Sequence, residues 1–208
     1  MTRNNFKAMF ASMSDPKASL TKEDLRRRMR DRLGEIPPGQ RMAWSGQILS
    51  RFTSDDEWIK SGGVVALFGG LKNEPNLLPL LPWLKQRGLA AAFFAIEGDE
   101  LTPYLVRDEQ DFIPGTMGVL EPKRGPSARL PIADLSVVLV PGLAFGTEDG
   151  SRLGRGKGYY DRVLGNPEFR GRSIGICYAM QLMPTVPREA HDVCVHALVN
   201  ESGWLDSF

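Results

Sequence analysis

The sequence predicts a mixed α/β protein in which one mainly parallel sheet carries helices on both faces, giving three layers in a single domain. Six short apolar stretches rich in strand-forming residues recur along the chain, and most are separated by segments with helical spacing. This alternation favours parallel strands joined by right-handed crossovers. The 208 residues, 42% hydrophobic and 25% charged, suit one globular core, and no linker or internal repeat divides them.

The chain begins with an extension that leads into a helix. Residues 1–20 lack sustained periodicity, and Asp15-Pro16 would interrupt a helix there, so we expect a flexible N-terminal extension. A single α/β domain is expected over residues 21–208. Its first helix begins at Thr21, because Thr21 and Asp24 form a capping pattern. One helix face repeats apolar residues every fourth position, at Leu25, Met29 and Leu33.

The remaining elements follow from the same periodicities. A turn at residues 37–39 precedes a second amphipathic helix with apolar positions at Met42, Ile48, Leu49 and Phe52. A third helix is indicated at 77–87, with Gly88 as its stop, although two prolines disturb its first turns. Strands are predicted at 64–68, 89–96, 101–106, 135–140, 174–178 and 193–199, and a short helix at 159–164.

Residues 152–161 alternate glycines with cations directly before that short helix. Glycines at every second position let backbone N–H groups approach a ligand closely. Arg152, Arg155 and Lys157 add full positive charges, and the start of a helix also favours anions. The stretch therefore predicts an anion-binding loop. From residue types alone, a flexible surface loop followed by a capped helix remains the alternative.

The spacing in this loop differs from two common phosphate-binding motifs. A Walker A loop would need a glycine where Ser151 stands and a serine or threonine where Gly158 stands. The dinucleotide-binding glycine pattern also fails, because Gly158 follows Gly156 too closely. A carboxylate at Asp161, one turn beyond the loop, would repel a phosphate unless a divalent cation lay between them.

Composition argues against several classes of function. With 26 basic and 25 acidic residues the net charge is +1, so nothing indicates a general nucleic-acid or membrane-surface role. No apolar run approaches the roughly 20 residues of a membrane helix, and no secretory signal stands at the N-terminus, so we expect a cytoplasmic protein. Cys177 and Cys194 stand singly and are expected to be free thiols.

Nucleophilic catalysis by the protein is not indicated either. The chain contains no Gly-x-Ser-x-Gly elbow, no sign of a reactive cysteine paired with a histidine and no histidine pair at metal-binding spacing. Such a composition suits a reaction in which the substrate supplies the nucleophile, while the protein supplies position and charge.

Residues 140–145 and the loop through Tyr160-Asp161-Arg162 together resemble the signature of the 5-formyltetrahydrofolate cyclo-ligase family, also called methenyltetrahydrofolate synthetases. Weaker similarity runs from about Lys22 to Glu201. The resemblance implies a layered α/β catalytic domain over residues 21–208. It also implies that ATP and Mg²⁺ drive the cyclisation of 5-formyltetrahydrofolate to 5,10-methenyltetrahydrofolate, through phosphorylation of the formyl oxygen and release of ADP and phosphate. We expect a monomer that binds these small molecules and no nucleic acid or membrane.

The same resemblance implies a role for individual residues. Catalytic roles fall on Arg152, Lys157 and Tyr159. Mg²⁺ ligands are expected at Asp161 and Asp192. Folate contacts are expected from Glu74, Arg155, Gly156 and Tyr159. ATP contacts are expected from Lys22, Arg26, Arg152, Leu153, Gly154, Arg155, Gly156, Lys157, Gly158, Tyr159 and Tyr160. Gln181 follows the penultimate strand, as it does in the family.

Some of these assignments have structural alternatives. From the residues alone, an exposed loop position is the preferred interpretation of Glu74, and a turn or cap position is an alternative for Asp192. Gly146, His196 and Asn200 depart from residues common in the family. They leave room for a related ATP-dependent enzyme with a non-folate substrate. A further alternative is a non-catalytic nucleotide- or RNA-binding module that uses the arginine-rich first helix and the glycine- and tyrosine-containing loop; RNA binding would show steep salt dependence.

Overall fold

A seven-stranded sheet lies at the centre of the protein. The computed structural model describes residues 21–54, 57–59, 62–115, 119–124 and 129–206, so the predicted extension at 1–20 lies outside the described residues. In chain order the strands are β1 (Val64–Leu67), β2 (Ala90–Glu97), β3 (Glu100–Val106), β4 (Phe112–Pro114), β5 (Leu120–Pro122), β6 (Leu135–Pro141), β7 (Ala144–Gly146), β8 (Arg152–Leu153), β9 (Arg172–Ile176), β10 (Leu182–Met183), β11 (Ala197–Asn200) and β12 (Gly203–Asp206).

The order across the large sheet is β12-β11-β9-β6-β1-β2-β3. The five inner strands are parallel, whereas β12 and β3 pair antiparallel at the two edges. Strand β6 lies in the middle, and its residues Val138 to Val140 are fully buried. A strand covered on both faces has a continuous apolar sequence, and this pattern predicted the strand at 135–140.

Three helices cover one face of this sheet. They are α1 (Lys22–Glu35), α2 (Pro38–Ser54) and α3 (Leu80–Gln86). Helix α1 begins as predicted, because the Thr21 hydroxyl accepts a hydrogen bond from the Asp24 amide at 3.1 Å. Its buried side chains pack with those of α2 and α3 against alternate residues of the sheet, including Leu67, Leu139 and Ile176.

The opposite face carries helix α4 (Tyr159–Leu164) and a small sheet of β7, β8 and β10. Phe145 of β7 and Leu164 of α4 pack here against Val138, Val140 and Leu198 of the large sheet. The predicted α/β arrangement with helices on both faces is thereby confirmed. Strands β4 and β5 form a separate antiparallel pair.

Several predicted bounds differ in detail: the third helix spans Leu80–Gln86 rather than 77–87, and the strand expected at 174–178 spans Arg172–Ile176. The strand expected at 193–199 begins only at Ala197, because the amides before it bond elsewhere: the Val193 amide donates to Asp161 and the Val195 amide to the Gly150 carbonyl. The buried face of α2 begins one turn later than expected, at Ser45, and Met42 is 74% exposed. Within the described part of the chain, no helix combines the length and apolar character needed to cross a membrane.

Candidate active site

The predicted site residues collect at the carboxyl edge of the parallel strands, where open α/β sheets place their ligands. Strand β1 leads into the turn that carries Glu74, and β6 leads into Pro141-Gly142. The glycine-rich loop at residues 154–158 connects β8 to α4. Helix α1 packs against the same region and contributes side chains from its first turns.

The glycine-rich loop lines an open cleft of about 520 Å³. Two of its glycines have positive φ angles, 105° at Gly156 and 66° at Gly158, which residues with a side chain rarely adopt. Lys157, between them, is exposed. The cleft is lined by Gly156, Lys157, Gly158, Asp161, Arg162, Gly165 and His191. The loop therefore borders a cavity with a cation at its edge, as an anion-binding loop requires.

Helix α1 delivers two cations to this region. Lys22 Nζ lies 2.5 Å from Asp192 Oδ2 and 3.2 Å from Glu189 Oε2. Arg26 Nε donates to the Gly154 carbonyl at 3.1 Å. Burial alone would lower the pKa of Lys22, but its hydrogen bonds to the two carboxylates outweigh this effect and raise the pKa. Burial alone would raise the pKa of Asp192, but hydrogen bonds from Lys22 and the Glu189 amide lower it.

Arg152 is buried beneath the loop. Its side chain is only 4% exposed, and Nη2 donates to Asp161 Oδ1 at 2.8 Å. The guanidinium carbon lies 5.7 Å from the Tyr160 ring centroid. A Cβ at position 154 would lie 2.8 Å from Arg152 Nη1, so a side chain there would press on the guanidinium. Arg152 therefore fixes the Asp161 carboxylate from within the protein.

Arg155 and Glu74 form a second ion pair across the site. Arg155 Nη2 and Nε lie 2.9 and 3.1 Å from Glu74 Oε1. The other oxygen of Glu74 accepts a hydrogen bond from the Leu71 amide at 2.8 Å. Because the Glu74 side chain is only 9% exposed, it is not the freely exposed loop residue that the sequence left open. The structure brings these two predicted folate contacts together.

The three predicted ATP contacts that flank the loop differ in their surroundings. Tyr159 stacks with Arg162, whose guanidinium carbon lies 5.3 Å from the ring centroid. The Tyr160 ring packs edge-on against Phe94 at 5.8 Å, and burial raises the pKa of its hydroxyl. Leu153 is buried in the core, so only its backbone faces neighbouring loops; its carbonyl accepts a hydrogen bond from the Leu143 amide at 2.7 Å.

The donor set at this edge fits a magnesium ion. Among the described residues, the hydrogen bonds to the Asp161 carboxylate end on Oδ1, and those from Lys22 and Glu189 to Asp192 end on Oδ2. These bonds leave Asp161 Oδ2 and Asp192 Oδ1, the latter 3.8 Å from His191 Nε2. The two carboxylates are also linked, since the Val193 amide next to Asp192 donates to Asp161 at 3.3 Å. Carboxylate oxygens are ligands that Mg²⁺ prefers.

Sequence reasoning missed or undervalued several residues of the site. Glu189 shares Lys22 with Asp192, and His191 and Arg162 line the cleft. No periodicity or spacing marks them as functional. Gln181, noted only through the family resemblance, is 2% exposed and donates to the Gly142 carbonyl at 2.7 Å, while its Oε1 accepts from the Tyr178 amide. It holds the turn that follows β6.

The three departures from the family pattern have local structural explanations. A Cβ at Gly146 would lie 2.2 Å from Ser151 Oγ, so only glycine fits there. His196 Nδ1 accepts a hydrogen bond from the Ser173 amide at 3.0 Å, a role that an aspartate oxygen could also fill. Asn200 Oδ1 accepts from the Ser202 amide in the turn between β11 and β12. All three stand outside the residues that line the cleft.

Comparison with known proteins decides the family. The model of the 5-formyltetrahydrofolate cyclo-ligase family matches residues 18–201. The chain belongs to this family. A 5-formyltetrahydrofolate cyclo-ligase of Mycolicibacterium smegmatis is 32% identical over 152 residues, covering 69% of this chain and 76% of the relative. That of Escherichia coli strain K12 is 26% identical over 178 residues, covering 84% and 97%.

Solved structures lead to the same cyclo-ligase family. The NMR structure of Aquifex aeolicus 5,10-methenyltetrahydrofolate synthetase has a TM-score of 0.77 at 32% identity, covering 89% of this chain and 92% of that one. The Mycoplasma pneumoniae 5,10-methenyltetrahydrofolate synthetase shares the fold, with a TM-score of 0.70 at 20% identity over 86% and 98% of the two chains. The predicted family is thus confirmed, as is the prediction that the chain is an enzyme of the ligase class.

Proposed function

We propose that the chain cyclises 5-formyltetrahydrofolate to 5,10-methenyltetrahydrofolate at the expense of ATP. The observation that carries the proposal is the family match over residues 18–201, within which the glycine-rich loop borders a cleft beside Lys22 and Arg26. The cations and backbone amides in this region suit a polyphosphate, and the missing protein nucleophile suits a reaction in which the folate attacks.

The reaction takes place in two steps. The formyl oxygen of the folate attacks the γ-phosphorus of ATP, the bond to the bridging oxygen breaks, and ADP leaves. The folate N10 then attacks the activated formyl carbon and loses its proton. The carbon–oxygen bond breaks, so the former formyl oxygen leaves as part of inorganic phosphate and the ring closes.

The residues divide this work by position. Lys157 and Arg26, with Lys22, offset the negative charge that spreads over the transferring phosphoryl group. Backbone amides of residues 153–158 and the aromatic residue Tyr160 complete the ATP side. Glu74, Arg155, Gly156 and Tyr159 form the folate side, where the tyrosine ring offers a flat apolar face to the pterin.

Mg²⁺ would be held by Asp161 and Asp192 through their second carboxylate oxygens. When bound, it neutralises phosphate charge and helps align the triphosphate. Arg152 holds Asp161 in place, and the chain of contacts from Lys22 to Asp192 does the same for the other carboxylate. Asp161→Asn is therefore expected to raise the magnesium concentration needed for half-maximal rate.

The direct test mixes purified protein with ATP, magnesium and 5-formyltetrahydrofolate and follows the absorbance of the methenyl product. Product should form, and omission of ATP should abolish it. Hydrolysis of ATP without the methenyl absorbance would instead indicate a related enzyme with a non-folate substrate. Lys157→Ala provides the matched inactive variant, because Lys157 is exposed and its removal leaves the core intact.

We also propose a cytoplasmic monomer whose partners are these small molecules. The near-neutral net charge of +1 supports the absence of a nucleic-acid role. Size-exclusion chromatography with light scattering tests the oligomeric state, and binding to a labelled RNA at low salt tests the alternative.

A further inference from the structure

Arg162 is a cation in the cleft that the proposed mechanism does not use. It lies in α4, three residues after Tyr159, and its side chain is exposed along the cleft wall. Three neighbours surround its guanidinium: the Lys157 carbonyl, the Asp99 carbonyl and the Tyr159 ring. These neighbours belong to different parts of the site, and this placement suggests a connecting role.

The hydrogen bonds of Arg162 join two separate segments. Nη2 donates to the Lys157 carbonyl at 3.1 Å and to the carbonyl of Asp99, which lies in the turn between β2 and β3. Asp99 and Lys157 are 58 residues apart in sequence, so local structure does not hold the turn and the loop together. Nη2 bridges the two carbonyls while the planar guanidinium lies over the Tyr159 ring, a combination that a lysine ammonium on a flexible stem does not reproduce.

The same side chain also fixes the shape of the loop beside it. The guanidinium carbon lies 5.3 Å from the Tyr159 ring centroid, within the range of a cation–π contact. A Cβ at position 158 would lie 3.1 Å from Arg162 Nη1, so the glycine there leaves space for the guanidinium as well as adopting a φ of 66°. Lys157 and Tyr159, the residues on either side of Gly158, are therefore both held by Arg162.

We propose that Arg162 is a positioning residue that clamps the glycine-rich loop to the β2–β3 turn. By holding the Lys157 carbonyl and the Tyr159 ring, it keeps the Lys157 ammonium and the loop amides directed to the cleft. Its effect on nucleotide binding rests on the proposed function, whereas its effect on loop order does not. A direct phosphate contact by Arg162 is the competing role, because the side chain also lines the cleft.

The test compares Arg162→Ala and Arg162→Lys with Arg170→Ala, an exposed arginine eight residues further on. Hydrogen–deuterium exchange of peptides covering residues 154–160 is measured in the free protein, and ADP affinity is measured by calorimetry with magnesium. In Arg162→Ala, exchange of the loop should rise and ADP affinity should fall, each by about tenfold, the factor for one charge-assisted hydrogen bond. Arg170→Ala should match the wild type.

The lysine variant separates the two roles. A clamp predicts that Arg162→Lys behaves like Arg162→Ala in both measurements. Recovery of ADP affinity by lysine, with loop exchange at the wild-type level in both variants, would overturn the proposal in favour of a simple charge contact. Unchanged loop exchange in Arg162→Ala would also overturn it. Failure of the wild type to bind ADP would count against the proposed function and leave the exchange result as an independent test of the clamp.

Discussion

The ion pair between Arg152 and Asp161 makes a quantitative prediction about stability. Their side chains are 4% and 14% exposed, and Nη2 lies 2.8 Å from Oδ1. The substitution Arg152→Met removes the charge and keeps most of the apolar stem. It leaves Asp161 with the Val193 amide at 3.3 Å as its remaining described hydrogen bond. Removing one partner of a buried pair costs about 3 to 5 kcal/mol. The residual exposure of Asp161 places the expected loss near the lower end, at about 3 kcal/mol.

A double-mutant cycle isolates the pair itself. Asp161→Asn should cost about 2 kcal/mol, because the guanidinium then faces a neutral amide. The double variant should lose about 3 kcal/mol rather than the sum, which gives a coupling energy of about 2 kcal/mol. Urea unfolding without added magnesium, followed by the fluorescence of the four tryptophans, measures each free energy of unfolding.

The chain offers a matched control for this cycle. Arg27 and Asp24 form an ion pair at the same 2.8 Å, but their side chains are 68% and 40% exposed. Arg27→Met should change the free energy of unfolding by less than about 0.5 kcal/mol. Two results would each show that burial does not strengthen the ion pair. One is that the losses in free energy of unfolding of the two single variants add to within about 0.5 kcal/mol, and the other is that the control loses as much as Arg152→Met.

Three further predictions concern catalysis, pH and the core of the site. Lys157→Ala should lower the rate of methenyl formation by about 10² to 10³ with an unchanged melting temperature; near-normal turnover would remove this lysine from the mechanism. The lowered pKa of Asp192 contributes stability that is present above pH 3.8 and lost as pH falls through the folded-state pKa. Urea unfolding from pH 6 to pH 2 should therefore show a smaller acid loss in Asp192→Asn, and equal slopes would contradict the assigned cause. Gln181→Ala should cost about 3 kcal/mol in the same assay, because the Gly142 carbonyl and the Tyr178 amide lose a buried partner; a loss below about 1 kcal/mol would mean that water replaces it.

The sequence was informative wherever a local pattern determines the structure. The cap at Thr21 and the apolar repeat of α1 lie within a few residues of each other, as do the glycines and cations of the loop. Burial of Arg152 was not predictable, because arginine is almost never buried unless paired and its partner is revealed only by the fold. The contact between Arg155 and Glu74 joins residues 81 positions apart, and local sequence periodicity does not predict a contact at that separation.

The long-range contacts of α1 also affect when the enzyme can fold during its synthesis. Arg26 bonds a residue 128 positions later and Lys22 one 170 positions later, so α1 completes a structure whose other parts are synthesised much later. Contacts this distant in sequence form late and slow folding, since a long chain segment must be ordered first. In a nascent chain that is stalled before Asp192, α1 would lack the carboxylate that Lys22 binds in the complete fold. Catalytic competence should then emerge in one final event after translation, rather than in proportion to chain length.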